Sequence, residues 1–183
     1  MASRAPGRLG TGRGGVRRLA LPEVGTDEIL MRVVGSSMCR STYKAMSLGS
    51  EHKRVPGDIE DVPVMTGHEF AGTVEQVGEG LSGQFTPGQS IAVQPAMGLP
   101  SGYSPGYSYP FYGGDSTFCI IPKIAIDKGC VLPYDGTYFA NGAPAEPSTC
   151  SIGASHAPYH PAPTISPHHR SRQAARPHPP RRG

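Results

Sequence analysis

Cysteine is scarce in this chain, and no two cysteines are close. Cys39, Cys119, Cys130 and Cys150 form no C-x-x-C pair, which argues against a disulfide-stapled fold and against a compact all-thiolate metal cluster. No hydrophobic leader is evident, so a reducing, cytoplasmic setting is expected. No run approaches the roughly 18 apolar residues of a membrane span, and no membrane partner is expected. Acidic residues are missing from 1–20 and from 166–183, each of which carries five Arg. All 14 acids lie between these ends, against seven Lys and Arg, so the net charge of +3 hides an acidic body with two basic ends. Neither end interleaves aromatic residues with its arginines, and the acidic body repels phosphates, so no nucleic-acid partner is expected.

What is present divides into three parts. At 183 residues the chain suffices for one domain with a real core and is too short for two full ones. Residues 1–20 are rich in Gly and Arg and are expected to be a disordered basic arm. They contain Gly10-Thr11-Gly12-Arg13-Gly14-Gly15, a literal G-x-G-x-x-G. That motif cradles a pyrophosphate only between a buried strand and a helix, and Met-Ala-Ser-Arg-Ala-Pro is no buried strand. Residues 156–183 are dense in Pro, His and Arg, poor in apolar side chains, and expected to be a second disordered tail. Residues 21–155 form the expected folded domain.

Within that domain Ile29–Val34 reads as a strand closed by Gly35. Val74–Gly80 and Phe85–Val93 alternate Val or Ile with polar residues between Gly/Pro turns, the mark of short antiparallel strands. A mainly β fold is therefore expected, a small barrel or sandwich with a few short helices. Residues 94–112 hold Tyr103, Tyr107, Tyr109 and Tyr112, which are expected to pack at the rim of the domain. Cys119, Cys130 and Cys150 carry no motif and are expected to have no function.

The chemistry-bearing residues are Cys39, the run Gly67-His68-Glu69-Phe70-Ala71-Gly72, and Glu146. Thiolate, imidazole and carboxylate are zinc ligands, and three protein ligands with one open position make a catalytic rather than a structural site. Gly-His-Glu with a following Gly and Val, Pro22-x-x-Gly25-x-Asp27-Glu28-Ile29-Leu30-x-Arg32-Val33, and Gly113-Gly114 leading into Phe118–Pro122 together resemble the zinc-dependent medium-chain dehydrogenases. Within that family the Tyr/Pro/Gly loop is similar to the sorbitol dehydrogenase and sorbose-phosphate reductase branch.

The resemblance covers the N-terminal catalytic domain. It implies a GroES-like antiparallel barrel, one catalytic Zn2+ held by Cys39, His68, Glu69 and Glu146, and Ser41 as a proton-relaying catalytic hydroxyl. Arg40 would contact the phosphates of an NAD(P) cofactor. Many members hold a second, structural zinc with four cysteines in the region of 94–112, and this chain has none there. Thr42 stands where an Asp commonly orients the zinc-bound His, and Gln89 also replaces a usual Asp. Residues 142–154 are similar to the helix that leads into the family's nucleotide-binding Rossmann domain, of which nothing is recognised after about Tyr159. The implied function is an oxidoreductase acting on an alcohol, polyol or sugar phosphate, inactive without that domain. The alternative is a non-catalytic GroES-like module or interaction protein.

Overall fold

A computed structural model describes residues 2–10, 13–59, 61–136 and 138–156. The folded body is built on a five-stranded antiparallel sheet. In chain order the elements are β1 (Ala2–Gly10), β2 (Arg13–Ala20), β3 (Ile29–Ser36), α1 (Arg40–Leu48), β4 (Phe70–Val77), β5 (Ser90–Val93), β6 (Phe118–Ile121), α2 (Lys123–Asp127), β7 (Val131–Pro133), α3 (Phe139–Gly142) and α4 (Ala145–His156). The sheet runs β6-β3-β4-β5-β7, every neighbour antiparallel. The mainly β class with few short helices expected from the sequence is therefore observed.

Alternation sets the core. Ile29 and Met31 of β3, Phe70 and Val74 of β4, Ile91 and Val93 of β5, and Cys119 and Ile121 of β6 are buried together. They put one face of the pleat inside, as a period of two requires. Cys119 and Cys130 belong to this core, and burial pushes the Cys119 thiol up to about 12. Both behave as small apolar residues rather than nucleophiles. A second cluster, Ala45, Val55, Ile59, Val64 and Tyr107, lies beneath α1 and fixes that helix on the body.

The central pair β3–β4 carries two register shifts, between Leu30 and Met31 and between Val33 and Gly35. Such bulges re-aim side chains near sheet ends. Gly72 lies between them, where a Cβ would stand 1.9 Å from the Arg32 carbonyl oxygen. Gly72→Ala is expected to destabilise the fold by about 3 kcal/mol or more, since rigid backbone must move. Urea unfolding checks this: an unchanged midpoint would mean that the close strand approach is dispensable.

Two expectations change. Residues 2–20 do not form an unstructured arm over their described part. β1 pairs with β2 as an antiparallel ribbon, Ala2 opposite Ala20 and Gly7 opposite Gly15. Backbone pairing satisfies the polar main chain there, and Leu19 anchors the ribbon's end by packing against the main core. The G-x-G-x-x-G run thus falls across two strands, not between a strand and a helix. The Tyr-rich loop is also not simply rim, because Tyr107 and Tyr112 are fully buried. The tail expected over 156–183 lies outside the described residues beyond His156. Among the described residues, no helix is long and apolar enough to cross a membrane.

Candidate metal centre

Three sequence-distant segments meet at one end of β3 and β4. Ser37, just past β3, donates its backbone N–H to the Glu69 carbonyl at 2.9 Å, which ties the exit of β3 to the entry of β4. Cys39 follows as the N-cap of α1, in extended conformation (φ −106°, ψ 137°) and with no side-chain capping bond. Helix caps favour Ser, Thr, Asp or Asn, which satisfy a free N–H. A thiol here forgoes that stabilisation, a local rule broken as functional positions often break it.

Gly67 brings in the imidazole. Its φ is +86°, and a Cβ would meet the Asp115 backbone nitrogen at 2.5 Å. Only glycine takes that turn at that closeness. Asp115 is itself held by Ser36 Oγ at 3.0 Å and Thr66 Oγ1 at 2.8 Å, both donating. His68 and Glu69 then enter the interior with only 6% and 5% of their surface exposed.

The donor atoms of Cys39, His68 and Glu69 all lie within 4.8 Å of one another. Zinc bonds of about 2.0–2.3 Å space tetrahedral donors roughly 3.3–3.8 Å apart, so contraction by about an ångström would seat the ion. The set of soft sulfur, borderline nitrogen and hard oxygen suits zinc. Glu146, expected as a further ligand, is not among these donors. It lies in the first turn of α4, where its carboxylate complements the helix dipole and its charge is felt at Tyr107.

A hydroxyl chain borders the donors. Tyr107 donates its phenolic proton to Ser41 Oγ at 2.7 Å, and Ser41 donates to Cys39 Sγ at 2.9 Å. Ser41 Oγ and Tyr107 O–H each also approach His68 Nε2 at 3.4 Å. On the other side of the ring, Thr42 Oγ1 sits 3.4 Å from His68 Nδ1. With Nδ1 protonated and donating to Thr42, Nε2 is left with its lone pair toward Cys39 and Glu69. Glu69 Oε1 is 3.7 Å from Nε2, and Glu69 Oε2 accepts from the Ser37 hydroxyl. Arg40 is the first residue of α1, exposed, and lines a cleft with Ser41.

Electrostatics favour a neutral ring. Burial lowers the His68 pKa and Arg54 lowers it further, against the opposing pull of Glu69 and Asp115. Burial also raises the pKa of Tyr107, which stays a proton donor at neutral pH. Nearby His52 is lowered too, by burial and then by Arg54, Lys44 and Lys53. When a folded-state pKa lies below the unfolded 6.5, the unfolded chain takes up protons first as pH falls. The contribution of both rings to stability is therefore full above pH 6.5 and declines below it. Urea midpoints of the metal-free chain are expected to fall between pH 7.5 and 5.5, and the fall should shrink in a His52→Gln, His68→Gln double variant. An equal fall in that variant would assign the effect to other groups.

Tyr107 is the site residue that sequence reasoning did not single out. It was one of four tyrosines in a Pro/Gly-rich loop, and no spacing distinguished it. Its contact with Ser41 spans 66 positions of chain.

Comparison with known proteins agrees with this architecture. Residues 25–150 match the alcohol dehydrogenase GroES-like domain, and the chain belongs to that family. It is 59% identical over 145 residues to mannitol-1-phosphate 5-dehydrogenase of Aliivibrio fischeri, covering 79% of this chain and 34% of the relative. It is 40% identical over 141 residues to L-sorbose 1-phosphate reductase of Klebsiella pneumoniae, covering 76% and 34%. The chain thus spans about a third of the length of these relatives. The crystal structure of 2R,3R-butanediol dehydrogenase from Bacillus subtilis superposes with a TM-score of 0.69 at 21% identity, over 84% of this chain and 47% of that one, and shares the fold.

Proposed function

We propose that this chain is the zinc-holding catalytic domain of an NAD(P)-dependent oxidoreductase acting on polyols or sugar phosphates. The observation that carries the reading is the convergence of Cys39, His68 and Glu69 donors within 4.8 Å. The similarity to relatives named for mannitol 1-phosphate and sorbose 1-phosphate supports the substrate class.

In this reading Cys39, His68 and Glu69 hold the ion, with Glu146 close by on α4. A bound zinc supplies Lewis acidity toward a substrate oxygen. The chain's own residues do the rest. Thr42 holds the imidazole in the tautomer that leaves Nε2 free. Ser41 carries the exchangeable proton at Oγ, in a position to pass it between a substrate hydroxyl and the site's edge. Tyr107, kept protonated by burial, donates to Ser41 Oγ and fixes its orientation. Arg40, exposed and lining a cleft with Ser41, would contact the phosphates of a nicotinamide cofactor. The test is a zinc assay of the purified chain together with turnover of mannitol 1-phosphate once a cofactor-binding domain is attached, as set out in the Discussion.

A further inference from the structure

Positive charge is unevenly placed on the acidic body. Of the seven Lys and Arg between residues 21 and 165, four fall within 40–54: Arg40, Lys44, Lys53 and Arg54, with Glu51 the single acid among them. Elsewhere the cations tend to be paired, Arg32 with Glu75 and Lys123 with Asp127. Among the described residues, no carboxylate lies within 4.0 Å of any of the four.

Geometry links this group to the donor site through one ring. The Arg54 guanidinium carbon stands 5.3 Å from the Tyr107 ring centroid, and His52 stacks on the same ring at 5.6 Å and 10°. Tyr107 also packs against His68, at 4.9 Å between centroids. Arg54 and His68 are therefore no more than about 10 Å apart. Lys44 lines a cleft of about 490 Å³ with Arg40, Ser41 and Tyr43, which reaches the site at Ser41. His52, kept neutral beside three cations, adds no further charge and offers a ring nitrogen.

We infer that Lys44 and Arg54, flanked by Lys53, form a phosphate subsite that takes the phosphate end of an acyclic sugar phosphate while its reacting hydroxyl lies at Ser41 and His68. This assignment rests on the preceding reading of the donor site and names the substrate class within it. The separation, at most about 10 Å, leaves room for such a molecule in a bent conformation. An extended chain advances about 1.2 Å per bond, so five or six bonds between the reacting carbon and phosphorus span about 6–7 Å. An arginine fork with a lysine is the pairing that suits a phosphate dianion, and an uncharged polyol has no use for two cations.

Calorimetric titration of the zinc-loaded chain with mannitol, mannitol 1-phosphate and inorganic phosphate tests this. The ester is expected to bind at least about tenfold more tightly than mannitol, and inorganic phosphate should compete with it. Arg54→Gln and Lys44→Gln should each weaken the ester about fivefold or more, and Lys44→Gln should leave zinc content and mannitol affinity unchanged. Lys44 is exposed, so its variant carries the test if Arg54→Gln fails to fold. Equal affinity for ester and polyol overturns the subsite. So does loss of ester binding in Arg40→Gln alone, or the absence of any phosphate binding. If the chain instead takes up no zinc, the donor-site reading fails. Phosphate binding that is lost in Lys44→Gln would still support the subsite.

Discussion

His68→Ala is expected to bring the zinc content of the purified chain from one equivalent to less than about a tenth, and Cys39→Ser to do nearly the same. Three protein donors are the minimum for a catalytic site, and removing one leaves two, too few for submicromolar retention. The loss should not come from unfolding, since His68 is held by Thr42, Ser41 and Tyr107 from around the ring rather than serving as the centre of the apolar core. Thr42→Val, which removes only the partner of Nδ1, should weaken zinc about tenfold. Metal analysis after dialysis against a weak chelator checks all three. Four histidines beyond residue 156 can bind metal adventitiously, so a version ending at His156 is the reference. Full zinc content in His68→Ala of that version would place the metal elsewhere.

The second large effect concerns turnover. These 183 residues, purified alone, are expected to oxidise neither sorbitol, mannitol 1-phosphate nor simple alcohols with NAD(P). Hydride transfer needs a nicotinamide held within about 3–3.5 Å of the substrate carbon. The segment that matches the relatives covers only 34% of their length. Joined after α4 to the remaining part of the mannitol-1-phosphate relative, the chain should become active, and His68→Ala in that chimaera should lower kcat/KM by about a thousandfold or more. A folded chimaera, loaded with zinc and inert, would favour a non-catalytic module. Turnover by the 183 residues alone, abolished by His68→Ala, would show that the cofactor needs nothing further.

The sheet was legible because its strands announce themselves by alternation: Ile29, Met31, Val74, Ile91 and Val93 point inward as their spacing requires. The backbone frame around His68 and Glu69 was legible because glycines mark it. Gly67 and Gly72 bracket His68-Glu69 for reasons of backbone conformation and strand approach that no other residue meets. The ribbon of β1 and β2 was not legible, because it is a pairing of main chain, which Gly and Arg composition does not advertise. Tyr107 was not legible because its partners come from α1 and β4's entry, both far away in sequence. Glu146 shows the converse: a motif can indicate neighbourhood without placing an atom among the donors.

The junction of Ser37 with Glu69 has a mechanical side. Cys39 and His68 bound a stretch that includes α1 and supplies Ala45, Val55, Ile59 and Val64 of the second cluster, while Tyr107 of that cluster comes from outside it. An ion gripping both ends would act as a clasp on a closed loop, much as a cross-link does, by shrinking the freedom of the unfolded chain. Chelation would then do more than silence chemistry. It would loosen α1 toward proteases before the sheet behind it, so the donor atoms would also bear on how long the polypeptide survives.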